Sequence, residues 1–329
     1  MADPAVSIVI TAHNEAAHIG ATVAAAAAQA GVPGGFEIVL VDDRSTDGTA
    51  EAARAAGGDL LRLYPGAPDP ASPLTTRQQA LDLAFRKARG QVILTLDADS
   101  AMAPDWAARM AAPMLEGRAD AVAGRIGFAP ADHWVARWQT CDAQYYFLVS
   151  ALVVRAGFGG GVFFGNFGFR RALYDQVGGF EAIGFALTED LAFAQAIQAA
   201  GARLDFAGQD ARVDVRPCAD FPALVTRTLR ISAGRVSALA LVLTVWPLSL
   251  PALILLALLT GAGGAWVAVG LRYGLGVALV RAALAGHPDR RVRGFAPFYE
   301  PVVYRLSAAV LARVLRRERV GWGGGQYGR

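Results

Sequence analysis

The chain has 329 residues, a formal net charge of +3 and a hydrophobic fraction of 54%. It is long enough for a catalytic domain with an appendage, and it is more apolar than an ordinary soluble enzyme. The small charge, with no basic run interleaved with aromatic residues in the first part of the chain, argues against a nucleic-acid-binding protein. Two cysteines, Cys141 and Cys218, without a CxxC pair predict free cytoplasmic thiols.

The first 235 residues alternate predicted strands with predicted helices. The predicted strands cover 6–10, 36–41, 59–64 and 92–96, and the predicted helices cover 15–30, 49–56, 75–88 and 191–200. This alternation is typical of right-handed βαβ units and a parallel sheet, so the predicted fold class is α/β. The sequence contains neither the glycine-rich turn of a dinucleotide-binding fold nor a P-loop. A bound nucleotide would therefore be held by carboxylates and a metal ion.

Acidic side chains follow two of these strands. Asp42 and Asp43 follow the second strand, and Asp97 and Asp99 follow the fourth. Ligands of open parallel sheets bind at the carboxyl ends of the strands. Two neighbouring carboxylates there repel each other unless a cation lies beside them, and a hard divalent ion is the natural candidate. The alternative is an acidic pair in a solvated surface turn.

The second strand is followed by a polar segment that leads into a predicted helix at residue 49. Ser45 and Thr46 have side chains that can cap this helix. Asp42 and Asp47 lie in or next to the same polar segment and are predicted to be cap or turn residues.

Six sequence blocks in order carry a resemblance to a known family. They are SIVITAHNE (7–15), VDDRSTDG (41–48), RQQALD with ARG (77–82 and 88–90), LDAD (96–99), FGNFGFRR with VGGF (164–171 and 177–180) and TED (188–190). Over roughly residues 5–235 the chain resembles family 2 glycosyltransferases. The resemblance implies a GT-A catalytic domain with a Rossmann-like, mostly parallel sheet. It also implies an inverting, metal-dependent sugar transfer from a nucleotide-sugar donor.

The resemblance implies roles on the donor side of the site. Asp99 would bind the Mn²⁺ or Mg²⁺ ion, and Asp97 would lie near the ribose or just outside the metal ligands. Asp43 would recognise the donor base, which we expect to be uracil, so that the donor is UDP-linked. Further predicted donor-binding residues are Glu15, Arg77 and Arg230.

On the acceptor side, the resemblance makes Asp190 the general base that takes the proton of the acceptor hydroxyl, with Glu189 in support. From the residues alone, Thr188 is an N-cap and both acids complement the dipole of the following helix. Gly165 and Asn166 are implied to lie at the edge of the acceptor or donor-sugar site. A packed core strand is the alternative for these two residues.

The chain departs from the family where processive relatives such as cellulose synthase carry Q-x-x-R-W. The corresponding segment, residues 227–231, lacks both the Gln and the stacking Trp. This favours transfer of a single sugar over the alternative of a polysaccharide synthase. A catalytically inactive membrane scaffold is the alternative from another class, and the intact Asp43, Asp99 and Asp190 argue against it.

Apolar segments follow the predicted catalytic domain. Residues 238–260 carry no charge, and 265–284 contain only Arg272 and Arg281. Each is long enough to span the hydrocarbon core, and together they predict a helical hairpin. The next loop, 287–293, carries three arginines, which predicts that it lies on the cytoplasmic side with the catalytic domain.

A third apolar segment, 295–315, contains charged residues and is predicted to be interfacial or re-entrant. The predicted domains are therefore a catalytic domain at 1–235, a membrane region at 236–315 and a basic cytoplasmic tail at 316–329. Residues 134–155 form either an interfacial helix or a core helix.

The tail resembles the W-x-G-R-x-Y ending of membrane glycosyltransferases that act on carotenoids and other lipids, with Gln326 in place of Arg. This resemblance implies a lipid-soluble acceptor and a multi-pass protein of the cytoplasmic membrane.

Overall fold

The computed structural model describes residues 3–231, 238–316, 320–322 and 325–327. The chain forms two compact units. The first comprises residues 1–127, 161–216 and 319–329, and the second comprises 128–160 and 217–318. These units are groupings by spatial proximity, and the domain boundaries at residues 235 and 315 stay a prediction.

The described strands range from two to seven residues. They are β1 (Val6–Ala12), β2 (Phe36–Asp42), β3 (Leu61–Pro65), β4 (Val92–Asp97), β5 (Ala101–Met102), β6 (Ala121–Ala123), β7 (Ile126–Phe128), β8 (Asn166–Arg170), β9 (Leu204–Phe206), β10 (Val213–Val215), β11 (Val320–Trp322) and β12 (Gly325–Tyr327). The four strands predicted from the sequence are all present, with ends within two residues of those predicted.

The described α-helices alternate with the strands in the first half of the chain and predominate after residue 216. They are α1 (Ile19–Ala27), α2 (Thr49–Gly57), α3 (Thr76–Lys87), α4 (Trp106–Leu115), α5 (Trp134–Arg155), α6 (Arg171–Gln176), α7 (Gly179–Ile183), α8 (Glu189–Ala199), α9 (Phe221–Ile231), α10 (Ala238–Thr260), α11 (Gly263–Ala283), α12 (Arg290–Gly294) and α13 (Tyr299–Leu315).

The first unit is built on a seven-stranded sheet with the order β3-β2-β1-β4-β8-β6-β9. Strands β1 to β4 pair in parallel, β8 runs against its neighbours β4 and β6, and β9 is parallel to β6. The side chains of β1, β2 and β4 are buried almost throughout, as expected for parallel strands covered on both faces. The predicted mostly parallel sheet is therefore observed.

An aromatic cluster packs against the reversed strand β8. Phe85 of α3 lies 5.1 Å from the ring of Phe169 and 5.1 Å from that of Tyr174, and Phe193 of α8 lies 4.8 Å from Phe169. Edge-to-face contacts of this kind add to the stabilisation from burial. The cluster fixes α3 and α8, the two helices that carry Arg77 and Asp190, against the same strand.

Helix α1 begins at Ile19, four residues later than predicted, because the preceding backbone is bound by another segment. The N–H groups of Asn14, Glu15 and Ala16 donate to the side chains of Ser45, Thr49 and Asp47. The prediction that Ser45 and Thr46 cap α2 is therefore wrong. The N-cap position of α2 is Gly48, whose φ is +85°, and Ser45 binds the turn after β1 instead. Asp42, predicted to be a cap or turn residue, is the last residue of β2, and its side chain accepts from the Ser45 N–H.

In the second unit, helix α5 coincides with the predicted segment 134–155. Most of its side chains are buried, among them Trp138 and Phe147, which favours the core alternative for this helix. Helices α10 and α11 pack against each other, as expected for the predicted hairpin.

Arg272, a charge within the second apolar segment, is paired inside this unit. Its guanidinium donates to Glu300 Oε1 at 3.0 Å and to Ser249 Oγ at 2.7 Å, and it stacks on Trp246 with 3.6 Å between Cζ and the ring centroid. Because Glu300 lies on α13, this ion pair ties the third apolar segment to the hairpin. An arginine within an apolar helix is tolerable when it is paired in this way.

Candidate active site

Three parallel strands end side by side at one edge of the large sheet. Ala12, at the end of β1, lies opposite Asp42 of β2, and Thr11 lies opposite Asp97 of β4. Since β1 lies between β2 and β4, the acids that follow all three strands share one edge. This is the edge where ligands of open α/β sheets bind.

Arg77 joins two of the predicted site residues. Its Nη2 donates to Asp97 Oδ1 at 3.0 Å, and its Nε donates to Glu189 Oε1 at 2.6 Å. A reciprocal capping box between Thr75 and Gln78 begins α3 and places Arg77 in the first turn. Burial lowers the pKa of Arg77, but the Glu189 and Asp97 carboxylates outweigh burial and raise that pKa above its ordinary value. Arg77 is therefore a permanent cation that holds Asp97 and Glu189 together.

Gly165 makes room for the Asp97 carboxylate. A Cβ at this position would lie 2.5 Å from Asp97 Oδ2 and 3.0 Å from the side chain of Ile126. Both distances are shorter than ordinary van der Waals contact. The structure thus brings Gly165 to the site next to Asp97, at a place where a larger residue would displace that carboxylate.

Asp190 lies half-buried at the start of α8, next to Glu189. Its Oδ1 accepts the N–H of Leu191 at 2.8 Å. Burial and then the charge of Glu189 raise the pKa of Asp190 to about 7, while Arg77 acts in the opposite direction. A carboxylate with a pKa near neutrality is well matched to proton transfer. Thr188 occupies the N-cap position of α8, but its side chain makes no capping hydrogen bond.

Asp99 and Glu15 approach each other at the same edge, through a shared arginine. Arg216 Nε lies 3.5 Å from Asp99 Oδ2, and Arg216 Nη2 lies 3.5 Å from Glu15 Oε2. Burial and then the charge of Asp97 raise the pKa of Asp99. Burial and then the charge of Asp99 raise the pKa of Glu15, although Arg216 lowers both pKa values. One arginine therefore leaves negative charge in excess at this point.

The carboxylates fit a divalent ion that is shared with a substrate. Within the described residues, no three His, Cys, Asp or Glu side chains lie close enough together to hold a metal ion by themselves. Mg²⁺, however, is usually bound by one or two carboxylates together with substrate phosphates. Asp99, with Glu15 beside it and an excess of negative charge, fits that kind of site.

Asp43 is buried at the end of β2 and is bound by its own neighbour. Arg44 Nε donates to Asp43 Oδ1 at 2.8 Å, and Arg44 Nη2 donates to Oδ2 at 3.1 Å. The backbone of Arg44 is left-handed, with φ of +61°, and this conformation lets its side chain turn back onto Asp43. Recognition of the donor base by Asp43 stays a prediction.

Asn166 serves the fold. Its Oδ1 accepts from the indole N–H of Trp106 at 2.9 Å, and its Nδ2 donates to the carbonyl oxygens of Arg125 and Ala211. The side chain is fully buried with its amide engaged on both ends. These contacts favour the packed core strand over acceptor binding.

Two arginines of the segment that replaces Q-x-x-R-W lie in α9. The guanidinium of Arg227 lies 5.0 Å from the centre of the Phe128 ring, and both residues belong to the second unit. Arg230 was predicted to bind the donor, and its side chain lies outside the described part of the structure.

Arg216 is the functional candidate that the sequence did not reveal. It falls in none of the six blocks and is 117 residues from Asp99, to which it donates a backbone hydrogen bond at 3.2 Å. The alternation of Val213 and Val215 predicts a short strand before it. Nothing in that pattern says that the strand, β10, pairs with β5 just after Asp99.

Structural comparison finds solved enzymes with a similar architecture. The mannosyltransferase PcManGT from Pyrobaculum calidifontis, solved with GDP-Man and Mn²⁺, is similar with a TM-score of 0.57 and 19% identity, over 97% of this chain and 89% of that chain. TarS 1–349 from S. aureus, solved with UDP-GlcNAc, gives a TM-score of 0.48 and 13% identity, over 98% and 96% of the two chains. The likeness to PcManGT confirms the predicted fold class, an α/β GT-A domain followed by apolar helices.

Sequence comparison identifies the family. A search among curated proteins found no match. The model of the family described as Glycosyl transferase family 2 matches residues 7–178, which is more than half of the chain. The chain belongs to glycosyl transferase family 2.

Proposed function

We propose that this glycosyltransferase moves one hexose from a nucleotide sugar, UDP-linked, onto a lipid-soluble hydroxyl at the cytoplasmic face of a membrane, with inversion at the anomeric carbon. The observation that carries the proposal is the Asp97–Arg77–Glu189 bridge, with the raised-pKa Asp190 beside it. This bridge joins the acids after β4 to the start of α8, so that donor-side and base residues are held in one group.

Asp190 is the base of the proposed reaction. The acceptor hydroxyl oxygen attacks the anomeric carbon as the bond from that carbon to the diphosphate oxygen breaks, and the hydroxyl proton passes to Asp190. A direct displacement of this kind inverts the anomeric centre. Arg77 keeps the neighbouring Glu189 carboxylate engaged, so that Asp190 is the acid left to take the proton.

Asp99 would hold a divalent ion, Mn²⁺ or Mg²⁺, with Glu15 beside it. When bound, the ion supplies Lewis acidity that neutralises charge on the departing diphosphate. The excess negative charge at Asp99 and Glu15 supports this assignment. On the donor side, Asp43 would accept a hydrogen bond from the base and Asp97 would lie near the ribose.

The second unit supports a membrane location. Two helices, at Leu241–Thr260 and Gly263–Ala283, are long and apolar enough to cross a membrane. Leu259 and Leu271 on these helices are 77% and 71% exposed. A core helix of a soluble protein would bury such side chains, whereas a membrane helix turns them to lipid. The arginine-rich segment at 287–293, which includes most of α12, favours cytoplasmic placement of that segment and of the catalytic domain.

The acceptor is proposed to be a membrane lipid or another lipid-soluble alcohol. The missing Gln and Trp of the processive motif favour a single transfer, and the apolar helices suit an acceptor that is dissolved in the bilayer. Helix α13 is bound to the hairpin by the Arg272–Glu300 ion pair. This helix would lie at the membrane–water interface or enter the membrane without crossing it.

The proposal is tested with the detergent-solubilised full chain. Radiolabelled UDP-, GDP- and dTDP-hexoses are offered with a membrane lipid extract, with and without Mn²⁺ or Mg²⁺. We expect label from the UDP-sugar in the organic phase only when metal is present. Label in a high-molecular-weight aqueous product would identify a polysaccharide synthase instead. No turnover of any donor would leave the inactive scaffold.

A further inference from the structure

Arg216 is held less tightly than Arg203 and Arg212, two other arginines of the first unit. Its two side-chain contacts, to Asp99 and to Glu15, are both 3.5 Å long, and its side chain is 51% exposed. Arg203 and Arg212, by contrast, each grip one carboxylate with two nitrogens, at 2.8 and 3.1 Å for Arg203 and at 2.9 Å for both contacts of Arg212. Paired contacts of that length are the strong form of an arginine–carboxylate bond. Arg216 has not formed one.

The backbone of Arg216 is held in place, although its side chain is only loosely bound. The Arg216 N–H donates to Asp99 Oδ2 at 3.2 Å, and Arg216 directly follows β10, which pairs with β5. The guanidinium can therefore leave the two carboxylates while the residue stays at the site. The guanidinium is thus a cation that can change partners without a movement of the backbone, and it lies beside the acids proposed to bind the metal ion.

We propose that Arg216 binds the donor diphosphate, an inference that rests on the proposed function. Without ligand, Arg216 partly neutralises Asp99 and Glu15. A divalent ion at Asp99 takes over that neutralisation, and the guanidinium is then available to the diphosphate oxygens that arrive with the ion. Guanidinium groups match phosphate oxygens with two parallel N–H bonds, which the present contacts to Asp99 and Glu15 do not provide.

This role predicts opposite effects on the two ligands. In the absence of nucleotide, Arg216 and the metal ion compete for the same negative charge, so that removing Arg216 should strengthen metal binding. In the presence of metal, removing Arg216 should weaken the binding of a nucleoside diphosphate and leave a nucleoside unaffected. A residue that only braced Asp99 and Glu15 would produce a different pattern, since its loss would weaken metal and nucleotide binding together.

The test is calorimetric titration of the detergent-solubilised full chain with MnCl₂ alone, and then with UDP, GDP and uridine in the presence of Mn²⁺. The variants are Arg216→Ala and Arg216→Lys. The matched control is Arg109→Ala, which removes a similarly exposed arginine that pairs with Asp105 and Asp210.

For Arg216→Ala we expect Mn²⁺ alone to bind about fivefold more tightly, as for the loss of one competing charge at a solvent-exposed site. We expect the affinity for UDP to fall by at least about tenfold, the usual value of a charge-assisted hydrogen bond. The affinity for uridine should be unchanged. Arg216→Lys should retain part of the UDP affinity because it keeps the charge but not the planar fork. Arg109→Ala should behave as the wild type.

Three outcomes would overturn the inference. The first is UDP binding by Arg216→Ala that equals that of the wild type, and the second is a parallel weakening of Mn²⁺ and UDP binding in Arg216→Ala, as loss of a brace would produce. If Arg216→Ala fails to fold, the third outcome is an Arg216→Lys variant that folds and binds Mn²⁺ and UDP more weakly in parallel, as a brace would. Wild-type protein that binds neither UDP nor GDP with Mn²⁺ would instead overturn the proposed function, and this inference with it.

Discussion

The acidic residues at the two ends of the parallel sheet differ in how their charges are compensated. Near its amino end, Glu37 accepts hydrogen bonds from Ser7 Oγ, the Arg89 N–H, Arg62 Nη1 and Arg89 Nε. Burial raises the pKa of Glu37, but the bonds from Arg62, Arg89 and Ser7 outweigh burial and lower that pKa. At the carboxyl end, Asp99 and Glu15 share one loosely held arginine, and the pKa values of both are raised.

The difference distinguishes an acid with a structural role from acids that are suited to bind a ligand. A carboxylate with a lowered pKa has its charge compensated by the protein, so that nothing more is needed to stabilise it. Carboxylates with raised pKa values lack that compensation and are favourable places for a cation. The protein therefore compensates the charge of Glu37 at the amino end and leaves the charges of Asp99 and Glu15 incompletely compensated at the carboxyl end. Substitutions at the amino end should therefore mainly change the free energy of unfolding, and substitutions at the carboxyl end should mainly change sugar transfer or ligand binding.

The largest effect is expected for Asp190→Asn, which removes the proposed base. Transfer should fall by about 10²–10⁴-fold, while donor affinity stays near that of the wild type. The measurement is the rate of label transfer to lipid, together with UDP titration. Asp205→Asn is the matched control, since Asp205 also accepts the N–H of the next residue but is exposed. Wild-type transfer by Asp190→Asn would refute the assignment of the base.

At the amino end, Glu37→Gln should lower the free energy of unfolding by about 2 kcal/mol, because the charge that Arg62 and Arg89 compensate is lost. Urea unfolding of the solubilised chain measures this change. Transfer per folded molecule should be unchanged. If Glu37→Gln left stability intact but reduced transfer, the contrast between the two ends would be wrong.

Gly165→Ala should displace the Asp97 carboxylate, since the new Cβ would lie 2.5 Å from Oδ2. We expect a loss of about 1–2 kcal/mol in the free energy of unfolding from overpacking, accompanied by reduced transfer. The control is Gly20→Ala in α1, where the added Cβ would lie 3.7 Å from the carbonyl oxygen of Ala52, an ordinary van der Waals contact. An unchanged transfer rate in Gly165→Ala would mean that the position of Asp97 does not matter.

The pH dependence follows from the raised pKa of Asp190. Below pH 7 the proposed base is increasingly protonated, so kcat/KM should rise about tenfold per pH unit up to about pH 7 and then level off. Stability should change in the opposite sense. A carboxyl whose pKa is raised by folding stabilises the folded state below its unfolded pKa, and this contribution is lost as the pH rises through about 7. A pH profile of transfer that is flat between pH 5 and 8 would contradict this assignment.

The smallest effect should be that of Asp99→Asn on stability. Removing one of the mutually repelling charges should raise the free energy of unfolding by about 0.5 kcal/mol, opposite in sign to Glu37→Gln. The same variant should lose the Mn²⁺-dependent part of UDP binding. A clear loss of stability in urea unfolding would show that Asp99 is compensated in the fold, as Glu37 is.

Much of the architecture was determined by the sequence itself. Continuous apolar runs such as Val6–Ile10 and Val92–Leu96 predicted the parallel strands, because residues buried on both faces must be apolar throughout. The uncharged stretch at 238–260 predicted a long helix for an equally local reason. The sequence also placed Asp97 and Asp99 at the carboxyl end of the fourth predicted strand, and β4 ends at Asp97. These features depend on patterns within a few residues, which a sequence displays directly.

Only the tertiary structure decided how the side chains are used. The contact between Arg216 and Asp99 depends on the pairing of β10 with β5, which lie more than 100 residues apart in the chain. The engagement of Asn166 by Trp106, and of Ser45 by the turn at Asn14, depends in the same way on elements distant in sequence. Hydrogen bonds and ion pairs require atoms to meet within about 3 Å. Local periodicity carries no information about that distance between remote segments, so the partner of each polar group emerged only when the chain had folded.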